Sequence, residues 1–325
     1  MTDLERRYFR LLAAYPADYR RARGSEIVGT YLDLAEPGRR WPTPADAVDL
    51  LRGGLRQRVR ATGATDLVPG VRLAAALALL TATALAGMWT VLELRPAPPG
   101  FGEPSAGPFV SLGIVAWAGW LLAAAAQALT PGRWHRRAVA LAVLVTVALV
   151  PAAALTGLPR PPLFVLLPQV GLGVVALGAS RIQPVSLRVT PLVAAVAGLA
   201  VASAMPRNVF SSSYRALTAE PVLGNTAVAV LAVAVLLAVG LALRGDHRGG
   251  WAALILLTPV GLLALHPLAG AADGVPSAFA ANWTALAVTA AVIGLIGPAL
   301  LPVALAVRGR LARPSAPGRT YGARH

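Results

Sequence analysis

The sequence contains neither cysteine nor lysine. Without cysteine, the chain cannot form disulfides, bind metal through thiolates or use a cysteine nucleophile. Without lysine, it cannot contain the phosphate-binding loop of nucleotide hydrolases, in which Lys precedes Ser or Thr. The His-Glu-x-x-His and Gly-x-Ser-x-Gly motifs of metalloproteases and serine hydrolases are also missing. We therefore predict that the protein is not an enzyme and that it binds no metal and no cofactor.

Charged residues are scarce as well, at 13% of the chain, whereas hydrophobic residues make up 56%. Soluble domains carry about 25% charged residues. Several apolar runs reach the roughly 20 residues that a helix needs to cross a bilayer. The composition therefore predicts an all-α, polytopic membrane protein whose first partner is the lipid bilayer.

The apolar runs predict eight transmembrane helices. Their approximate bounds are 70–92, 109–129, 138–157, 161–180, 189–206, 221–243, 251–269 and 282–307. A small helical module at 1–60 and a juxtamembrane linker at 61–69 precede this bundle. A basic tail at 308–325, rich in Pro and Gly, is predicted to be disordered.

The arginines predict the topology of the bundle. Placing the N-terminus in the cytoplasm puts 25 arginines on the cytoplasmic side and four outside, as the positive-inside rule requires. Both termini are then cytoplasmic, in a bacterial inner membrane. The residues up to Asp66 carry a net charge of only +3, which is too small for a dedicated DNA-binding domain, so we expect no direct contact with nucleic acid.

Polar residues inside the predicted spans are few. Gln169, Asn225 and His266 are the candidates, and no Asp or Glu lies in the middle of a run, so a carboxylate proton relay is not expected. Gln169 follows Pro168 and either donates a hydrogen bond between helices or belongs to a binding site. His266 alone is more typical of a structural residue than of a ligand.

A weak internal repeat relates residues 135–146 to residues 247–258 at an offset of 112 residues. Two parallel four-span halves of this kind occur in some transporters. The repeat and the prolines inside the spans leave open a permease for a lipid or a neutral solute.

The N-terminal module has helix signals of its own. Thr2 and Glu5 predict a capping box, and Thr43 with Asp46 predicts the start of a helix at 44–60. Pro16 and the pair at 24–25 predict breaks, which would give three or four short amphipathic helices. The predicted apolar stripe of the last helix consists of Val48, Leu51, Leu55 and Val59.

Arginines gather at the end of the module that adjoins the first span. Such residues can attract anionic lipid at the cytoplasmic face, at about 1 kcal/mol each. The lipid-headgroup candidates are Arg52, Arg56, Arg58, Arg60 and Arg72.

The module also carries a spaced pattern, Leu-x3-Tyr-Pro-x2-Tyr-Arg-x3-Gly-x-Glu-Ile followed by Asp. Its residues are Leu11, Tyr15, Pro16, Tyr19, Arg20, Gly24, Glu26, Ile27 and Asp33. Over residues 4–60 the chain resembles the HAAS signalling domain and the related permease-prefix domain, which precede membrane spans in many bacterial proteins. The chain departs from the ABC-type permeases that carry the prefix, because it lacks their large external domain.

The resemblance implies a cytoplasmic docking module, often encoded beside PadR-type transcription regulators. Its pattern residues either contact a partner or define the fold, and the two roles are compatible. The sequence therefore predicts an integral membrane signalling or regulatory protein whose first 60 residues dock a cytoplasmic regulator. The alternative is the permease for a lipid or a neutral solute.

Overall fold

The computed structural model describes residues 2–36, 38–61, 66–95, 105–130, 132–178, 185–206, 214, 216–272 and 282–311. Most of these residues lie in α-helices. The helices are α1 Asp3–Leu11, α2 Ala17–Asp33, α3 Pro44–Ala61, α4 Leu67–Glu93, α5 Gly113–Leu129, α6 Arg133–Thr156, α7 Leu163–Ala176, α8 Val185–Ala204, α9 Ala216–Ala242, α10 Arg248–Leu263, α11 Leu265–Ala272 and α12 Trp283–Leu311. A 3₁₀ turn, Leu12–Ala14, follows α1.

Within the described part of the chain, five helices are long and apolar enough to cross a membrane. They are Leu67–Glu93, Arg133–Thr156, Leu187–Ala204, Pro221–Ala242 and Trp283–Arg308. The pair α10 and α11, bent by 71° at its break, is a sixth if it counts as one span. Because α5 and α7 are shorter apolar helices, every predicted apolar run contains a helix. How many of them cross the membrane stays a prediction.

The chain divides into two compact units. The first contains residues up to Leu67 together with those from Pro302 onward, and the second contains Val68–Leu301. We call the first the N-terminal unit and the second the bundle. The first unit has its own apolar core, which consists of Leu4, Tyr8, Leu12, Tyr15, Val28 and Leu50.

Both predicted helix starts in the N-terminal unit are confirmed. The Oγ1 of Thr2 accepts from the amide of Glu5 at 3.2 Å, and the Glu5 carboxylate accepts from the amide of Thr2 at 3.1 Å. Thr43 and Asp46 exchange the same two bonds, each at 3.1 Å. These bonds satisfy amide donors that a helix leaves without an internal acceptor.

The predicted break at residues 24–25 is wrong, because α2 runs without interruption from Ala17 to Asp33. Gly24 is buried against Leu12, and a Cβ there would lie 3.6 Å from Leu12 Cδ1. A glycine inside a helix costs about 1 kcal/mol, which the burial of Val28 on the same helix offsets.

The predicted apolar stripe of α3 is also wrong where it can be checked. Val48 is 64% exposed and Leu51 is 44% exposed, whereas Leu50 is 1% exposed. The reason is steric, because a Cβ on Gly54 would lie 2.7 Å from Ala14 Cβ. The helix therefore approaches the 3₁₀ turn through its glycine face. The side chains of Leu55 and Val59 lie outside the described residues.

Among the five candidate spans α4 is the most buried, and small residues let a neighbouring helix approach it closely. A Cβ on Gly87 would lie 2.2 Å from the carbonyl oxygen of Ala195 in α8. A Cβ on Gly198 of α8 would lie 2.0 Å from the carbonyl oxygen of Ala84. Glycine is therefore required at both positions, as is typical of closely packed membrane helices.

Candidate functional site

The N-terminal unit contains a groove of about 330 Å³ between α2, α3 and the end of the 3₁₀ turn. We call it the tyrosine groove. It is lined by Tyr15, Tyr19, Ile27, Thr30, Tyr31, Gly53, Arg56 and Gln57. Three of these residues, Tyr15, Tyr19 and Ile27, belong to the pattern on which the predicted docking role depends.

The walls of the groove are built from stacked and hydrogen-bonded tyrosines. The rings of Tyr15 and Tyr19 stack with centroids 5.6 Å apart and planes 13° from parallel. The hydroxyl of Tyr31 donates to Asp49 Oδ2 at 2.6 Å. A Cβ on Gly53 would lie 2.3 Å from the Tyr15 hydroxyl oxygen, so this glycine makes room for the phenol.

The groove combines neutral phenols with one cationic side chain in its lining. Burial raises the pKa of Tyr15, and the carboxylate of Asp49 raises it further, whereas Arg56 lowers it. Burial and the hydrogen bond to Asp49 raise the pKa of Tyr31. Because both pKa values are raised from an ordinary value near 10, the phenols of Tyr15 and Tyr31 are neutral at neutral pH, and Arg56 is the charged side chain of the lining. The groove can therefore accept an apolar or aromatic group that has a hydrogen-bond acceptor beside it.

The other predicted docking residues occupy different environments. Gly24 is buried in the helix contact, and Leu11 and Pro16 are half-buried outside the lining. Arg20, Glu26 and Asp33 are exposed on α2. The pattern thus contributes both to the core and to the surface of one unit.

Sequence analysis did not name Thr30, Tyr31, Gly53 and Gln57 as site residues, although all four line the groove. Tyr31 lies four residues after Ile27, so helical spacing places the two on one face of α2. Gly53 gave no signal, because its role depends on the phenol that approaches it from the preceding segment.

Two of the predicted lipid-headgroup residues share this region. Arg52 and Arg56 are exposed on α3, and Arg56 also lines the tyrosine groove. Arg72 is exposed on the first turns of α4. The side chains of Arg58 and Arg60 lie outside the described residues.

The three intramembrane polar candidates do not share a site. Gln169 is 1% exposed, and its Nε2 donates to the carbonyl oxygen of Ala82 at 3.0 Å, which joins α7 to α4. Asn225 is exposed on α9. His266 lines a separate cavity at the start of α11, where its ring meets Phe164 edge-on at 5.3 Å.

The bundle also contains a buried polar cluster that sequence analysis missed. Glu93, at the end of α4, is 0% exposed. Its Oε1 accepts from the hydroxyls of Ser111 at 2.5 Å and Tyr214 at 2.6 Å, and its Oε2 accepts from the Ser111 amide at 2.7 Å. The indole of Trp117 donates to the Tyr214 hydroxyl oxygen at 2.8 Å.

We call this cluster of Glu93, Ser111, Trp117 and Tyr214 the Glu93 clasp, because its hydrogen bonds join distant segments of the chain. Its donors lie 18 and 121 residues from Glu93 along the chain, so no local spacing could reveal it. A Cβ on Gly113 would lie 2.4 Å from Glu93 Oε1, which shows that the cluster is closely packed. Because three donors converge on the carboxylate, the arrangement holds chain segments together and leaves it few lone pairs for a ligand.

No family model, no curated protein and no solved structure matches the chain. Its fold and candidate site therefore rest on the geometry described above. The resemblance of residues 4–60 to the HAAS and permease-prefix domains stays a prediction.

Proposed function

We propose that the protein is a non-enzymatic signalling or regulatory protein of a bacterial inner membrane, and that its tyrosine groove docks a cytoplasmic partner. The convergence of Tyr15, Tyr19 and Ile27 on one groove carries this proposal. These residues belong to the spaced pattern that resembles the HAAS domain, and their common position at a concave surface supports a contact role beside their role in the fold.

The chemistry of the groove defines the partner. Stacked phenols and Ile27 favour an apolar or aromatic side chain, and Arg56 favours a carboxylate next to it. We propose that the partner is a soluble regulator that presents such a side chain on a helix or a tail. A transcription regulator of the kind that the HAAS resemblance implies would meet this requirement.

The membrane placement is supported by the surface of the bundle. Large aliphatic side chains are exposed on α6, α9 and α12, among them Leu144, Leu236 and Leu295. Helix faces on which many large aliphatic side chains are exposed mark a membrane or protein contact. We propose that lipid covers them, with eight spans, both termini in the cytoplasm and anionic lipid near Arg52 and Arg72.

A permease for a lipid or a neutral solute is the alternative proposal. It would be supported by an open, polar cavity that reaches Gln169. Instead, Gln169 is hydrogen-bonded to Ala82 and is not among the residues that line the cavity beside α11. This packing favours the signalling role over the transport role.

Site-directed photocrosslinking in the native membrane tests the docking proposal. A photoreactive phenylalanine replaces Thr30, an exposed residue of the groove, in the full chain. The matched control carries the same group at Val48, which is exposed on α3 outside the groove. We expect one soluble protein to crosslink at position 30 and not at position 48.

Substitutions and a truncation sharpen the test. Ile27→Glu should abolish the crosslink at position 30, whereas Val48→Glu should leave it unchanged. Removal of residues 1–60 should remove the same protein from a crosslinking pull-down. Equal capture by the full and truncated chains, or equal crosslinking at both positions, would overturn the proposal.

A further inference from the structure

The bundle contains a cavity of about 920 Å³ between α6, α7, α11 and α12. We call it the Arg160 cavity. The break between α10 and α11 contributes to it, because Leu265 and His266 of the first turn of α11 form part of the wall. Its volume lies near the upper end of the roughly 300–1,000 Å³ that is typical of small-molecule sites.

Most of the lining is aliphatic or aromatic. Val150 of α6, Leu167 of α7 and Ala290 of α12 mark its apolar end, and each lies inside its helix. Val150 is six residues before the end of α6, so the apolar wall extends about 9 Å along that helix at 1.5 Å per residue. The polar groups of the lining side chains are those of Arg160, His266 and Trp283.

Arg160 is the charged side chain of the lining. It is half-buried in the connection between α6 and α7, and its Nη1 donates to the carbonyl oxygen of Pro161 at 3.0 Å. No acidic side chain of the described residues forms an ion pair with it or lines the cavity. The guanidinium carries five N–H donors, so it can bind an anion through a pair of them.

The N-termini of α7 and α12 add to this positive end. Their first turns contribute the lining residues Leu163 and Trp283, and Asn282 Oδ1 already accepts from the Thr284 amide of α12. The N-terminus of α11 adds little, because it lies at the break where the C-terminus of α10 carries the opposite partial charge. Helix N-termini carry partial positive charge and amides without internal acceptors.

The last turn of α6 opposes this effect only in part. Its carbonyl oxygens at Ala152 and Ala153 already accept from the Thr156 hydroxyl and the Gly157 amide. The Glu93 carboxylate lies near Pro161, beside the Gly113 backbone, but it does not line the cavity, and its oxygens accept from Ser111 and Tyr214. The cavity therefore has one positive end and one apolar end.

We infer that the Arg160 cavity binds one single-chain amphiphile with an anionic head group, such as a long-chain carboxylate. The head group pairs with Arg160 at the ends of the helices, and the acyl chain lies along the apolar wall towards Val150 and Leu167. This direction matches that of an amphiphile in a bilayer, because Arg and Trp residues at helix ends favour the membrane–water interface. The inference does not depend on the tyrosine groove or its partner.

Equilibrium binding of labelled oleate to the full chain in phosphatidylcholine nanodiscs tests the inference. We expect saturation at one oleate per chain above the background of empty nanodiscs. Oleyl alcohol, which has the same chain and no charge, should bind at least tenfold more weakly, a difference of about 1.4 kcal/mol. Equal binding of oleate and oleyl alcohol would overturn the inference.

Two matched pairs of variants locate the site. Arg160→Gln should weaken oleate binding about tenfold and leave oleyl alcohol binding unchanged, whereas Arg133→Gln, at the other end of α6, should change neither. Ala287→Trp should fill the cavity and remove oleate binding. Val288→Trp, at an exposed neighbour that is not part of the lining, should retain it. Unchanged oleate binding in both cavity variants would contradict the assignment.

Two further measurements complete the test. Phosphatidylglycerol should not displace oleate, and displacement at equal concentration would show that the cavity takes two-chain bilayer lipids instead. Dibrominated stearate should quench the fluorescence of Trp283 in the unaltered chain. Loss of saturable quenching in Trp283→Phe supports the site without any change to its charge, and unchanged quenching opposes it.

Discussion

The N-terminal unit and the bundle fix their helices by different interactions. In the N-terminal unit, the hydroxyl of Tyr8 donates to Asp46 at 2.9 Å and that of Tyr31 donates to Asp49 at 2.6 Å. These two bonds tie α1 and α2 to successive turns of α3. In the bundle, α4 and α8 instead meet through Gly87 and Gly198, with backbone against backbone.

The difference fits the surroundings that we propose for each unit, namely water for the N-terminal unit and lipid for the bundle. In water, apolar burial drives helices together, and directional bonds to carboxylates select one register. Lipid tails are as apolar as the helix surfaces, so membrane helices associate through close van der Waals contact. The Glu93 clasp is the place where the bundle uses the tyrosine–carboxylate chemistry of the N-terminal unit.

The largest expected effect comes from breaking the backbone contact of the bundle. Gly198→Leu places a side chain where a Cβ alone would lie 2.0 Å from the Ala84 carbonyl oxygen, so α4 and α8 must separate. We expect a loss of about 3 kcal/mol in the free energy of unfolding, measured by titration with denaturing detergent. Gly240→Leu in α9 is the control, since a Cβ there meets nothing within 4 Å. Equal losses in the two variants would contradict the close-contact explanation.

A substitution in the core of the N-terminal unit should have a similar or slightly smaller effect. Leu50→Ala removes a fully buried side chain of α3 and should destabilise the unit by about 2–3 kcal/mol. Amide hydrogen exchange of α1 to α3 in the full chain measures this loss. Val48→Ala should change stability by less than about 0.5 kcal/mol, because Val48 is exposed. A larger loss of stability for Val48→Ala than for Leu50→Ala would show that α3 buries the apolar stripe predicted from the sequence.

The clasp allows the same chemistry to be tested inside the bundle. Glu93→Ala leaves the hydroxyls of Ser111 and Tyr214 without their acceptor, at a cost of about 1–3 kcal/mol in unfolding by denaturing detergent. Glu93→Gln keeps one side-chain oxygen and should recover part of this loss. If both variants were as stable as the unaltered chain, the cluster would make no net contribution.

The smallest effect is expected from alkaline pH on the N-terminal unit. Burial raises the pKa of Tyr8 and Tyr31 above the ordinary value near 10, and the bonded aspartates raise it further. Groups with a raised folded-state pKa contribute stability that is complete below about pH 10 and is lost as pH rises through the folded-state value. Hydrogen exchange of α1 to α3 should therefore accelerate above pH 10 beyond its intrinsic rate. Tyr31→Phe should reduce this additional acceleration, and an unchanged response would contradict the role of the phenol.

Local signals in the sequence predicted much of this fold. The two capping boxes depend on residues three positions apart, and the apolar runs locate all the helices of the bundle. The buried face of α3 could not be predicted. The helix packs through the face that contains Gly54, which allows a closer approach to Ala14 than the predicted stripe of large side chains would. Tyr15, Tyr19 and Ile27 could be placed on a candidate site, but Gly53 could not, since only the packed tertiary structure gives it a role.

The Glu93 clasp also imposes an order on biosynthesis. Tyr214 lies 121 residues beyond Glu93, so at about 5–20 residues per second it leaves the ribosome roughly 6–24 s later. Until then the carboxylate lacks one of its donors and is costly to bury in an apolar environment. The cluster around Glu93 is therefore complete only after Tyr214, which precedes α9, has been made.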